Sequence, residues 1–265
     1  MAEPEKNAII NVRNLTGGYG ETVIFQDVNF DVYEGEVFII LGGSGCGKST
    51  LLKHMIGLVK PMQGDIVIDG KNIVTSTGAD YAQILRCFGV MYQNGALFGS
   101  MHLLDNISLV LEEFTLLPAS ARNAIAQMRL NQVDLGNALY KMPDELSGGM
   151  RKRAAIARAM ALDPKILFLD EPSAGLDPIT SAQMDELILQ LARTLKITFV
   201  IVTHELPSIY SIADRCIMLS REEKTIVAQG KPDELRSKSE NPWVRQFFNR
   251  EAQQNNNTKQ NSKDN

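Results

Sequence analysis

The sequence predicts an α/β fold in which a mostly parallel sheet is joined to an antiparallel β subdomain and interrupted by an inserted α-helical subdomain. Three observations carry this. The apolar run Val37-Phe38-Ile39-Ile40-Leu41 passes into Gly42-Gly43-Ser44-Gly45-Cys46-Gly47-Lys48-Ser49-Thr50 and then into Leu51-Leu52-Lys53-His54-Met55-Ile56, a strand, glycine loop and helix in direct succession. From 94 to 164 strand patterns nearly vanish and helical spacing takes over. After 164, short apolar runs again alternate with helical spacing, the pattern of a parallel sheet whose ligands sit at the carboxyl ends of its strands. A chain of 265 residues, 44% hydrophobic, is long enough to bury a large core.

In order, residues 9–15 read as a short strand and Thr16-Gly17-Gly18-Tyr19-Gly20 as the turn after it. Val28-Asn29-Phe30-Asp31-Val32 alternates apolar and polar, as a half-buried strand does. Glu34-Gly35 turns the chain into the strand before the glycine loop, and Lys60-Pro61-Met62-Gln63-Gly64 is expected to break the helix after it. Residues 65–68 form another strand, closed by a hairpin turn at Asp69-Gly70. Asp105 is expected to cap a helix through Ile107, Val110, Leu111 and Phe114. Residues 120–132 carry Ile125 and Met128 on one helical face, and 150–162, rich in alanine and basic residues, should be a strong helix. Residues 166–169 form a buried strand ending at Asp170-Glu171, and Met184, Leu187, Ile188, Leu191 and Leu195 recur at helical spacing. Strands follow at 197–203, ending at His204, and at 216–219 and 225–228.

The glycine loop carries the chemistry. Glycines let backbone N–H groups crowd around a polyphosphate, and the helix beginning near Lys48 points its positive end at the same anion. Lys48 adds a full charge for the β- and γ-phosphates, and the Ser49 hydroxyl is an oxygen ligand of the kind Mg²⁺ prefers. Asp170, at a strand end, is placed to hold the Mg²⁺ shell, and Glu171 to polarise or deprotonate an attacking water. Cys46 lies near a helix N-terminus, a place that lowers a thiol pKa, but reads as a small filler of the loop. His54 and His102 read as structural.

Composition narrows the field. A net charge of −4 offers no basic field for nucleic acid, and no nucleic-acid partner is expected. Cys46, Cys87 and Cys216 lie far apart without metal spacing, so no disulfide framework and a reducing compartment are expected. The polar, acidic start lacks the apolar core of a secretory signal, and no apolar run approaches the ~20 residues of a membrane span. Work at a membrane would therefore require another protein to hold the chain there.

Leu146-Ser147-Gly148-Gly149-Met150 supplies a second helix N-terminus built for phosphate. The glycine loop, this Leu-Ser-Gly-Gly-Met turn and Ile166-Leu167-Phe168-Leu169-Asp170-Glu171, in that order, closely resemble the ATP-binding cassette (ABC) ATPases over residues 9–230. The resemblance implies a P-loop NTPase (RecA-like) core, ATP and Mg²⁺ as cofactors, and transport-coupled ATP hydrolysis. It implies that Tyr19 stacks on adenine, that Gln93 senses Mg²⁺ and the membrane partner, and that His204 holds the γ-phosphate and the attacking water. Ser173-Ala174-Gly175-Leu176-Asp177 resembles the loop that crosses to the other subunit. In that family Ser147, Gly148 and Gly149 of one subunit would close over residues 42–50 of another, so a homodimer sandwiching two ATP molecules is implied. Met150 stands where many cassettes have Gln, with no loss of activity expected.

Gln93-Asn94-Gly95-Ala96-Leu97-Phe98-Gly99-Ser100-Met101, the Gly-Gly-Met signature, Asp177-Pro178-Ile179-Thr180 and Asn241-Pro242-Trp243-Val244-Arg245-Gln246-Phe247 resemble the ATPases of Mla/Mce-type lipid transporters. That resemblance implies an integral-membrane permease, a periplasmic MCE lipid-binding protein, in some members a small STAS-domain protein, and a place on the cytoplasmic face of the inner membrane. The cargo would be a glycerophospholipid passing between inner and outer membrane; an importer ATPase for a small solute such as an amino acid is the rival. A kinase has no need of Leu-Ser-Gly-Gly, and the Asn-Lys-x-Asp of guanine-specific proteins is absent. The ATPase domain is expected over 8–240, with a core of 8–93 and 163–235 around a helical subdomain at 94–162. A partner-contact segment is expected at 241–252, where Trp243, Phe247 and Phe248 would be costly to expose, and a disordered tail at 253–265.

Overall fold

The computed structural model describes residues 7–249. β1 (Ala8–Tyr19) and β2 (Thr22–Tyr33) form a hairpin, and β3 (Val37–Gly42) leads through the glycine loop into α1 (Lys48–Met55). β4 (Gln63–Ile68) and β5 (Lys71–Asn72) follow, then α2 (Gly78–Cys87) and β6 (Phe88–Met91). The helical insertion holds α3 (Leu103–Phe114), α4 (Ala119–Gln132) and α5 (Gly148–Ala159). β7 (Ile166–Asp170), α6 (Pro178–Leu195), β8 (Thr198–Val202), α7 (Leu206–Ile212), β9 (Arg215–Leu219), β10 (Ile226–Gly230), α8 (Pro232–Lys238) and α9 (Pro242–Asn249) complete the described chain.

One sheet is antiparallel, in the order β2-β1-β4-β5; the other runs β10-β9-β3-β8-β7-β6 and is parallel except for β10 at its edge. β8, Thr-Phe-Val-Ile-Val, is buried along its whole length, as expected of a parallel strand covered on both faces. Successive strand residues feed opposite layers. Ile39, Leu41, Leu167, Leu169 and Ile201 join the core shared with the helical insertion, α6 and α7. Phe38, Ile40, Phe168, Val200 and Val202 join the core shared with α1 and the antiparallel sheet. Because β3 lies between β8 and β9, and β7 next to β8, their carboxyl ends form one edge that carries the glycine loop, Asp170-Glu171 and His204.

Several local expectations are corrected. The strand predicted to end at Leu15 continues to Tyr19; bulges at residues 15–18 absorb the two glycines, and the turn lies between Tyr19 and its partner Thr22. α1 ends at Met55, before the Lys60-Pro61 breaker, because Leu58 and Val59 N–H both turn back to the Lys53 carbonyl. His102, not Asp105, occupies the N-cap position of α3 and makes no side-chain capping bond; Asp105 falls in the first turn, where its charge suits the helix dipole. α4 buries Ala126, Arg129 and Leu130, leaving Ile125 half-buried and Met128 exposed. Arg129 reaches that buried position because its guanidinium pairs with Asp163 at 2.9 Å. α5 stops at Ala159, three residues short of the predicted end. α2 and β6 are additions to the predicted elements.

The packing does not break at residue 240. Val244 and Phe248 of α9 are buried in the core shared with α6 and α7, and Trp243 and Phe247 lie half-buried against it. Tyr210 Oη donates to the Phe248 carbonyl at 3.0 Å. Phe248, 2% exposed, is thus covered by its own chain. Residues 250–252 and the tail at 253–265 lie outside the described residues.

Candidate active site

The glycine loop sits where the buried β3 meets α1. A Cβ at Gly42, whose φ is +149°, would lie 2.5 Å from the Leu219 carbonyl oxygen, so the chain passes the end of β9 only without a side chain. Ser44 and Ser49 are exposed; Gly43, Gly47, Lys48 and Thr50 are half-buried. Lys48 Nζ lies across the loop and donates to the carbonyls of Gly42 (2.9 Å) and Gly43 (3.1 Å). Cys46 is 1% exposed; burial pushes its thiol up, and the Lys48 charge only partly offsets this, so it is a filler rather than a reactive thiol.

Ser49 and Asp170, 121 residues apart, are brought together: Ser49 Oγ donates to Asp170 Oδ1 at 3.3 Å. Burial pushes the Asp170 carboxyl up, the Ser49 hydrogen bond pulls it back, and the Glu171 charge raises it again. Two facing oxygens at a phosphate loop fit Mg²⁺, which keeps waters and substrate phosphates as its other ligands. A cation between them would hold Asp170 ionised.

Glu171 and His204 form the second pair. Glu171 is 8% exposed, and its Oε1 lies 2.8 Å from His204 Nδ1. A carboxylate only accepts, so Nδ1 donates to Glu171 and Nε2 is left on the open side of a side chain that is 60% exposed. The other carboxylate oxygen, Oε2, is buried without a hydrogen-bond partner. Glu171 also has φ +51°, a left-handed conformation costing about 1–3 kcal/mol for a residue with a side chain. Its N–H donates to the Val202 carbonyl at 2.8 Å, which ties the strained residue to β8.

Lys152 was not singled out from the sequence. It is 8% exposed and its Nζ donates to the carbonyls of Glu171 (3.0 Å) and Ala174 (2.6 Å). Its only sequence signal is a lysine in the apolar stripe of α5. Asn106 was missed likewise: fully buried, it exchanges hydrogen bonds with both backbone groups of Phe98 and donates to the Met101 carbonyl, shaping the segment after Gln93.

Ser147 caps α5, its Oγ accepting from Met150 N–H at 3.3 Å. A Cβ at Gly149 would lie 2.6 Å from Thr180 Cγ2, so this glycine lets α5 meet the start of α6. Asp177 caps α6, accepting from Ile179 and Thr180 N–H at 3.1 Å, and these bonds with the Thr180 hydroxyl hold its carboxyl below the usual range. The Ser147 turn therefore packs on residues 176–180, and the hydrogen bonds Ser147 makes lie within α5. Gln93 stands exposed just past β6. Tyr19, 45% exposed at the end of β1, receives a 3.4 Å hydrogen bond from Lys53 Nζ, which ties it to the helix of the glycine loop.

Trp243, the one tryptophan in the chain, lies against the loop: a Cβ at Gly43 would be 3.8 Å from its Cζ2. ATP addition should change its intrinsic fluorescence, and Trp243→Phe should abolish the signal. An emission spectrum unchanged at saturating ATP would contradict the placement of phosphate at this loop.

Comparison with known proteins adds findings of three kinds. The ABC transporter family model matches residues 25–174. The chain is 43% identical over 240 residues to the "Probable ribonucleotide transport ATP-binding protein mkl" of Mycobacterium leprae, covering 91% of this chain and 68% of that protein. It is 38% identical over 240 residues to the "Intermembrane phospholipid transport system ATP-binding protein MlaF" of Escherichia coli K12, covering 91% of this chain and 88% of that one. Among solved structures, cbiO1 from Clostridium perfringens, described as part of the ABC transporter complex cbiONQ, superposes with a TM-score of 0.80 at 30% identity, covering 88% and 92%. The dimeric cassette MJ0796 in a post-hydrolysis state with ADP and Pi superposes at 0.74 and 28% identity, covering 84% and 98%.

Proposed function

The chain belongs to the ABC transporter family as an ATP-binding, ATP-hydrolysing subunit, and from that premise we propose that it drives phospholipid transport between the inner and outer membrane of a diderm cell. The observation that carries this reading is the 38% identity to MlaF across 91% of this chain and 88% of that protein. The mkl relatives are named for a ribonucleotide instead, and a small-solute importer remains the rival cargo class.

In this reading residues 42–50 wrap the phosphates, Lys48 neutralises them and Tyr19 stacks on the adenine. Ser49, Asp170 and Gln93 would hold Mg²⁺, which supplies charge neutralisation at the β- and γ-phosphates. Glu171 takes the proton of an attacking water, and His204, oriented by Glu171, faces the γ-phosphate through Nε2. Ser147, Gly148, Gly149 and Asp177 serve the pocket of a second copy, in a homodimer held by a permease at the cytoplasmic face of the inner membrane. No helix among the described residues is long and apolar enough to cross a membrane, which fits attachment through that permease. A periplasmic MCE protein and a small STAS-domain protein complete the proposed assembly.

Purification of the tagged chain in mild detergent, followed by mass spectrometry of proteins and lipids, tests the reading. Recovery of a permease, an MCE protein and phospholipid is the expected result. A periplasmic solute receptor, or a nucleotide cargo without lipid, would replace the lipid assignment.

A further inference from the structure

We propose that Lys152 is a positioning residue that ties the Ser147 turn, which serves one ATP, to Glu171, which serves the other; this rests on the dimer reading above. The two ends of the link are in one chain. Ser147 caps α5 and Lys152 lies five residues along it, about 7.5 Å down a rigid helix. From there Nζ holds two backbone carbonyls, that of Glu171 at 3.0 Å and that of Ala174 at 2.6 Å.

Glu171 needs such a hold. Its backbone is left-handed at φ +51°, and its N–H is anchored on the Val202 carbonyl of β8. Lys152 anchors the remaining backbone group of the same residue. With both fixed, the carboxyl is presented to His204 in one geometry. Ala174 belongs to the segment that continues through Leu176 and Asp177 to Thr180. That segment packs under the glycines of the Ser147 turn, with a Cβ at Gly148 3.4 Å from Leu176 Cδ2 and one at Gly149 2.6 Å from Thr180 Cγ2. The start of α5, residues 171–177 and the start of α6 therefore form one packed unit.

Filling space does not account for a lysine here. An ammonium is costly to bury, and a methionine would fill similar volume without that cost. Burial lowers the Lys152 pKa, while the carboxylates of Glu205 and Glu171 favour its charge. What the charge adds is a two-carbonyl clamp with charge-assisted hydrogen bonds. A displacement of α5, as Ser147 engages phosphate on the facing subunit, is passed through this clamp to Glu171 of its own subunit. Hydrolysis at one site is thereby made responsive to closure at the other.

The test uses the full-length chain and three variants, Lys152→Arg, Lys152→Gln and Lys152→Met, with folding checked by thermal melting. ATP affinity, turnover and the Hill coefficient for ATP are measured for each. Turnover should fall in the order Arg, Gln, Met, by on the order of 100-fold for Met. ATP affinity should hold within about twofold, and the Hill coefficient should drop towards one as donors are lost. Arginine, which keeps the charge and several donors, should restore most of the activity. Should one variant fail to fold, the order and the cooperativity among the others carry the test. Equal turnover and unchanged cooperativity across folded variants, with the parent chain cooperative, would overturn the role of Lys152 while leaving the dimer reading intact. A parent chain that hydrolyses ATP as a non-cooperative monomer would overturn both.

Discussion

Glu171→Gln binds ATP with near-parental affinity and hydrolyses it slower by on the order of 10²–10⁴-fold, the range for loss of a general base. The amide keeps the volume of a side chain that is only 8% exposed, so the buried position and the packing around residues 171–177 survive. It also occupies the same backbone position, held by the Val202 and Lys152 contacts. What is lost is the proton affinity of the carboxylate and the anion that orients His204 through Nδ1. His204→Ala then costs less in the Glu171→Gln background than in the parent, because the two side chains act as one unit. Single-turnover hydrolysis with binding measured in parallel decides it. Turnover of the glutamine variant within about threefold of the parent would move the proton acceptor to another residue.

That pair was legible in the sequence because each residue ends an apolar run. Asp170-Glu171 follows Ile166-Leu167-Phe168-Leu169, and His204 follows the run that became β8. Parallel strands buried on both faces announce themselves as continuous apolar runs, and their carboxyl ends follow directly. The edges of helices were less legible. α3 starts after His102, which makes no side-chain capping bond, although Asp105 looks the better cap, and α4 turns Arg129 rather than Met128 inward because its ion pair with Asp163 outweighs local preference. β1 runs through two glycines because bulges against β2 and β4 absorb them, and no local pattern reports a bulge. Lys152 escaped for a related reason: its partners are the carbonyls of Glu171 and Ala174, and backbone acceptors leave no mark in a sequence. The contact of Trp243 with the glycine loop joins positions 200 residues apart, beyond any pattern in either segment.

The proposed division of labour between two copies has the largest consequence. Lys48 and Ser147 stand at the starts of two different helices, α1 and α5, each offering its positive end and free N–H groups to an anion. Within one chain the Ser147 turn packs on residues 176–180, while Lys48 bonds to its own loop. If each ATP is gripped by α1 of one copy and α5 of the other, Lys48→Ala and Ser147→Arg should each silence the homodimer. Lys48→Ala does so by weakening nucleotide binding, and Ser147→Arg by blocking closure at an exposed position. Mixed one to one, the two variants should regain activity, because in a mixed dimer both lesions fall in the same pocket and leave the other pocket whole. Half the dimers would be mixed and each would keep one of two pockets, so recovery should approach about a quarter of parental turnover when the pockets act independently. The Lys152 clamp lowers that ceiling. The control is the double variant mixed with parental chain: there the lesions divide between the two pockets of a mixed dimer, and only parental homodimers contribute. Activity of the single-variant mixture equal to the mean of its separate components would show that one chain completes its own pocket.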